Sequence, residues 1–204
     1  MRKCLLLVFT CACSILHAQN AVIKVAGNYF KTSPFEKEFS QFLQQLLSDP
    51  SLSNKNTRKK TDSTLFFFEG RYGTYNPFFF KPIQTRVILA EKEQVVVQDS
   101  LSILHTIYEY QLIGYAPPGI QGINDVKQEF DKINRRFMKD FSSYESSELK
   151  KGGLIRDYMY TSFPFYPFTL AWASNTDHTE NIFAITVRFQ VADNWAYLPF
   201  IVKD

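Results

Sequence analysis

Cysteine is nearly missing from this chain, and its position matters more than its number. The three cysteines, Cys4, Cys11 and Cys13, all lie before Ser14. Beyond them there is no thiol to build a disulfide, a thiolate zinc site, an iron–sulfur cluster or a cysteine nucleophile. Histidine is almost as scarce, with only His17, His105 and His178. Long apolar runs are also lacking. The one candidate, Cys4–Leu16, is too short to cross a bilayer as an ordinary helix. Neither sign of charge dominates, with 23 basic against 20 acidic side chains. That balance speaks against a nucleic-acid binder, which needs a basic surface to meet phosphates. The sequence holds no Gly-x-Ser-x-Gly elbow, His-Glu-x-x-His helix, Walker loop or dinucleotide fingerprint.

The first residues read as a bacterial export signal. Arg2 and Lys3 form the positive start, Cys4–Leu16 the apolar stretch, and Ala18 the small residue before cleavage. Gln19 is the expected mature start. The alternative is a lipoprotein anchored at Cys11 or Cys13. However, Thr10 precedes Cys11, and Thr10-Cys11-Ala12 precedes Cys13, and neither is a good lipobox. Cleavage removes Arg2 and Lys3 and takes the formal charge from +3 to +1. It leaves residues 19–204, a length that suits one domain or two small ones; the pattern reads as a single α+β domain of two halves divided near 116–123. A domain of that length buries about 70% of its unfolded surface and needs no staples. The expected location is the periplasm or the cell surface, with no transmembrane segment in the mature chain.

Aromatic side chains are what the chain has in plenty: 20 Phe, 11 Tyr and 2 Trp. They fit a pleated, half-buried surface and favour a sheet-rich core. The densest stretch runs from Leu65 to Tyr115, beginning with the block from Phe66 to Phe80.

Around it the pattern predicts a sequence of elements. Asn20–Gly27 reads as a short edge strand or a mobile terminus. Ser33-Pro34-Phe35-Glu36 reads as a capped helix start. Phe35, Phe39, Phe42, Leu43, Leu46 and Leu47 follow at helical spacing, and Asp49-Pro50 ends the helix. Ser51–Ser63, with Arg58-Lys59-Lys60, reads as a solvated loop. Strands are expected at Thr64–Arg71 and Ile83–Ala90, then a charged turn at Glu91-Lys92-Glu93, then a strand from Val95. Leu101–Tyr115, apolar on both faces, reads as a central strand covered on both sides. A second helix follows Pro117-Pro118-Gly119, with Asp125 and Gln128 as a capping box. Its stripe is Val126, Phe130, Ile133, Phe137 and Phe141, and it ends at Gly152-Gly153. Strands are expected at Leu154–Tyr160, Phe168–Ala173, Asn181–Val191 and Trp195–Val202.

These elements predict an α+β protein. One curved antiparallel sheet of about seven strands carries two amphipathic helices on one face, in the order helix, strands, helix, strands. Cystatin-like and NTF2-like rolls share this element content, which is an analogy of architecture and carries no function.

Candidate functional residues are few. The exposed-aromatic reading rests on Tyr72 and Tyr75, placed among glycines, and on Phe163, Phe165 and Tyr166 in a proline-rich turn. Loop aromatics stack on sugars or anchor protein partners. The competing reading is that they close the ends of an aromatic core. Asp177, His178 and Glu180 cluster in an expected hairpin loop, where a solvated turn outweighs a metal site. His105 and Glu109 share a strand face about 13 Å apart, too far for a dyad. Glu69, Glu91, Glu93 and Glu109 are carboxylates a glycosidase-type site would need.

The reading is therefore an exported, non-catalytic binding or protein-interaction domain. It takes an unknown protein or carbohydrate ligand and uses no metal or cofactor. The alternative is a carboxylate-dependent hydrolase acting on a periplasmic or cell-surface substrate, with Glu69 or Glu109 in its site.

Overall fold

The computed structural model describes residues 22–35, 39–61, 64–73, 82–98, 101–150, 152–159, 167–192 and 195–197. Among the described residues there are three helices: α1 at residues 22–29, α2 at Phe39–Ser48 and α3 at Ile120–Asp140. The strands are β1 Leu52–Thr61, β2 Thr64–Tyr72, β3 Gln84–Gln98, β4 Leu101–Ala116, β5 Ser143–Glu148, β6 Gly153–Met159, β7 Phe168–Ser174, β8 Asn181–Ala192 and β9 Trp195–Tyr197. Eight of them form one curved antiparallel sheet in the order β1-β2-β3-β4-β8-β7-β6-β5, and β9 pairs with the end of β8. The α+β class and the curved antiparallel sheet are as the sequence predicts, with one helix and one or two strands more.

Two consecutive four-stranded meanders meet where β4 pairs antiparallel with β8, from Tyr108↔Phe189 to Ala116↔Asn181. Side-chain alternation then sorts the sheet into two faces. One face presents Phe68, Val87, Leu89, Tyr110, Leu112, Phe168, Leu170, Phe183, Ile185, Val187 and Phe189, all buried. All three helices press on it. The Phe30 ring lies 4.6 Å from that of Tyr110, Phe42 lies 5.2 Å from Tyr110, and Phe137 lies 4.8 Å from Tyr158. Burying each such side chain contributes roughly 1.5–3 kcal/mol. The aromatic excess of the sequence thus forms the layer between helices and sheet. Among the described residues no helix is long and apolar enough to cross a membrane.

Several expectations are corrected. Residues 22–29 form a helix, not an edge strand. Val22, Val25, Ala26 and Tyr29 are buried at helical spacing, and the β-branched valines hid that period. Pro34 and Phe35 lie in a turn, where the Phe35 amide donates to Ser33 Oγ at 3.3 Å, and residues 36–38 fall outside the described set. Residues 52–61, expected as a loop, form the outermost strand β1; polar and basic residues suit a sheet border exposed to water. Glu91-Lys92-Glu93 is not a turn but the middle of the 15-residue β3. Helix α3 starts at Ile120 after an N-cap at Gly119 with no side-chain cap, and Asp125 lies inside it, accepting from Gln121 Nε2 at 2.8 Å. It stops at Asp140, and Ser143–Glu148 pairs with β6 instead of extending it. The expected strand end at Val202 lies beyond the described residues, which close at Tyr197.

Gly122 lets the first turn of α3 sit directly against the Pro117 carbonyl. A Cβ there would stand 1.8 Å from the Pro117 carbonyl oxygen and 2.8 Å from Asn181 Nδ2. Asn181 is fully buried and donates to the Pro117 and Gly119 carbonyls at 2.8 and 3.2 Å. The first residue of β8 therefore holds the Pro-Pro-Gly turn that feeds the helix.

Candidate functional site

The second face of the sheet carries a row of paired charges. Its side chains alternate with the core set: Glu69 on β2, Arg86 and Lys92 on β3, Glu109, Gln111 and Tyr115 on β4, Arg188 on β8, Thr169 on β7 and Asp157 on β6. Glu109 and Arg188 oppose each other directly, which brings Arg188 Nε to 3.1 Å from Glu109 Oε1. Lys92 reaches the other carboxylate oxygen from the neighbouring strand, and Gln111 Nε2 donates to it at 3.3 Å. Arg188 continues to Asp157 through Nη1 at 3.2 Å, and Thr169 donates to the same Asp157 oxygen. On the other side, Arg86 holds Glu69 at 2.9 Å and donates to Tyr115 Oη at 3.0 Å. The result is a row of alternating charge reaching from β2 to β6.

Burial and pairing compete at the centre of this row. Glu109 is only 9% exposed. Desolvation pushes its carboxyl up, but the bonds and charges of Lys92 and Arg188 outweigh that and hold it below the usual carboxylate range. It is an ionised counter-ion under neutral conditions. A general acid needs the opposite environment, one that keeps the proton. Glu69 likewise faces the Arg86 guanidinium. Glu91 lies on the core side of β3 opposite Tyr108, whose phenol is pushed up to about 12 by burial and then by the Glu91 charge. Glu93 and His105 sit on β3 and β4 at register positions facing Thr106 and Gln94.

Tyr72 is not an exposed loop aromatic. It ends β2 on the core face, 5% exposed, opposite Leu52 and Thr85. Burial, then the Asp49 charge, pushes its phenol well above the ordinary range and keeps it protonated, and its hydroxyl neighbours that of Tyr110. The glycine before it marks no loop, because Gly70 is itself inside the strand. Tyr75, Phe163, Phe165 and Tyr166 lie outside the described residues. The strand ends from which their segments leave are nevertheless known. The β2–β3 connection leaves beside Tyr115, since Gln84 pairs with it. The β6–β7 connection leaves beside Phe168, which pairs with Val187 and so lies level with Tyr110. Those levels are five residues apart on β4, about 17 Å.

At the Tyr115 end, Ile83 and Ile120 are 67% and 72% exposed. They flank the end of β4, one entering β3 and the other opening α3.

The Asp177–Glu180 loop is a turn bound to itself. Thr179 donates to Asp177 Oδ1 from its amide at 3.3 Å and its hydroxyl at 2.9 Å, lowering that carboxyl. Asn175 Oδ1 accepts from the Glu180 amide at 3.0 Å, and His178 Nδ1 lies 3.1 Å from Ser174 Oγ. The His178 carbonyl accepts from the Gly119 amide at 2.7 Å, so the hairpin also docks on the approach to α3. Among the described residues no three His, Cys, Asp or Glu side chains converge as a metal site would require. A surface depression of about 410 Å³ beside the hairpin brings Lys150, Ser174, Asn175 and Glu180 to its rim.

No family model, curated protein or solved structure matches this chain.

Proposed function

We propose that this chain is an exported, non-catalytic binding or protein-interaction domain, acting in the periplasm or at the cell surface on a protein or carbohydrate ligand. The observation that carries this reading is the state of the carboxylates. Glu69, Glu109 and Asp157 each sit against a guanidinium, and Glu109 is held ionised by two cations. They knit strands together, whereas a hydrolase needs a carboxyl poised to give or take a proton. Exposed Ile83 and Ile120, at the strand end from which the Tyr75 segment leaves, supply the apolar surface an interaction domain needs.

The test is binding and turnover measured side by side. Wild-type protein and the variants Ile83→Ser, Ile120→Ser and Tyr75→Ala are titrated against envelope extracts and a glycan panel. The reading expects saturable binding that the variants weaken. Turnover of a glycoside, ester or peptide substrate that Glu109→Gln abolishes would overturn it. Export has its own test. Intact mass of the protein from its native host should correspond to a chain starting near Gln19, and a full-length chain retaining Met1 would end that part of the proposal.

A further inference from the structure

The open sheet has two borders, and they differ in charge. Among the described residues β1 pairs only with β2, and β5 only with β6. Strand β1 carries Lys55, Arg58, Lys59 and Lys60 and no acid. Strand β5, Ser143–Glu148, carries Glu145 and Glu148 and no base. Arg58, Glu145 and Glu148 are exposed, and among the described residues none has an ion-pair partner. All seven strand pairings across the sheet are antiparallel, so β1 and β5 run in opposite directions. A second copy in the same orientation therefore brings its β1 antiparallel to the β5 of the first, and the alternation continues unbroken.

We infer that copies of this chain associate head to tail, with β1 of one pairing to β5 of the next. Face and charge both match when Arg58 of one copy meets Glu145 of the next. Arg58 and Glu145 belong to the same face, since Arg58 opposes Phe67 and Glu145 opposes Asp157, both on the face away from the helices. Setting Arg58 against Glu145 pairs a base of β1 with an acid of β5; Lys55 lies in the irregular stretch of β1 between Ser53 and Asn56 and donates to the Leu47 carbonyl at 2.6 Å, so it takes no part in this register. Any one-residue slip would put core-side and outer-side positions together. Pairing β1 with β1, or β5 with β5, sets like charges opposite one another, which is unfavourable. Basic residues on a border strand usually block such pairing. Here they block the self-pairs and admit the complementary one. The contact is heterologous, so it closes into a ring or continues as a filament. This inference is independent of the ligand reading above.

Two charge reversals and their mixture test it by sedimentation velocity, at protein concentrations up to about 1 mM. The wild type should show concentration-dependent growth in size that salt suppresses. Arg58→Glu alone and Glu145→Lys alone should each associate about tenfold more weakly. Mixed in equal amounts, they should recover association, because one contact is then wild-type and the other has its charges exchanged. Both positions are exposed, and circular dichroism establishes that the variants fold. A wild type that stays monomeric over the whole range overturns the inference. So does assembly that the reversals leave unchanged, or a mixture that fails to recover.

Discussion

Glu109 lies between two cations on adjacent strands, and that position decides what it can do. Removing its charge leaves Lys92 and Arg188 without their shared partner. Both cations keep some contact with water, so the loss is less than for a fully buried pair. Glu109→Gln should cost about 1–2 kcal/mol at neutral pH, read from urea melts. The sign of the pH dependence follows from the lowered carboxyl. Its contribution is complete above the unfolded value of about 4.3, and is lost as pH falls through the lower folded value. The gap between wild type and Glu109→Gln should therefore close in acid. Glu109 was visible in the sequence as a carboxylate on a strand. Its partners were not, because Lys92 read as part of a turn, while Arg188 is distant in sequence and meets it only through strand pairing.

Helix α2 shows what periodicity can and cannot tell. The stripe was legible, yet the two side chains it buries completely are Phe42 and Leu46, with Phe39 only partly covered against Phe66 and Tyr108. Phe42→Ala should cost about 3–5 kcal/mol through lost burial and the cavity left behind. Gln44→Ala, on the exposed side, should change stability by less than about 0.5 kcal/mol. Denaturant melts separate the two, and equal effects would show that α2 does not pack on the sheet. The border strands were illegible for a physical reason. Both are polar along nearly their whole length, so they lack the apolar alternation that marks a half-buried strand. Helix α3 was legible along its stripe but not at its start, where a glycine, not a capping side chain, sets the geometry. Gly122→Ala should destabilise by about 1–3 kcal/mol, because the contact with the Pro117 carbonyl outweighs the roughly 1 kcal/mol that alanine gains in a helix. A thermal melt showing increased stability would contradict that assignment.

At the scale of the whole molecule, the sheet divides two kinds of stabilisation. Its helix-side face is aromatic and dry, and its other face is bound laterally by alternating charge across six strands. The central proposal is that the carboxylates of this second face serve the fold and leave recognition to the exposed strand end at Ile83 and Ile120. A carbon-detected NMR titration of the Glu109 side chain tests this most directly. The account expects the carboxyl to titrate below the ordinary value of about 4.3 and to move upward when Lys92 is replaced by Met. A carboxyl that titrates above that value, and keeps its proton toward neutral pH, would contradict the account and favour a catalytic acid.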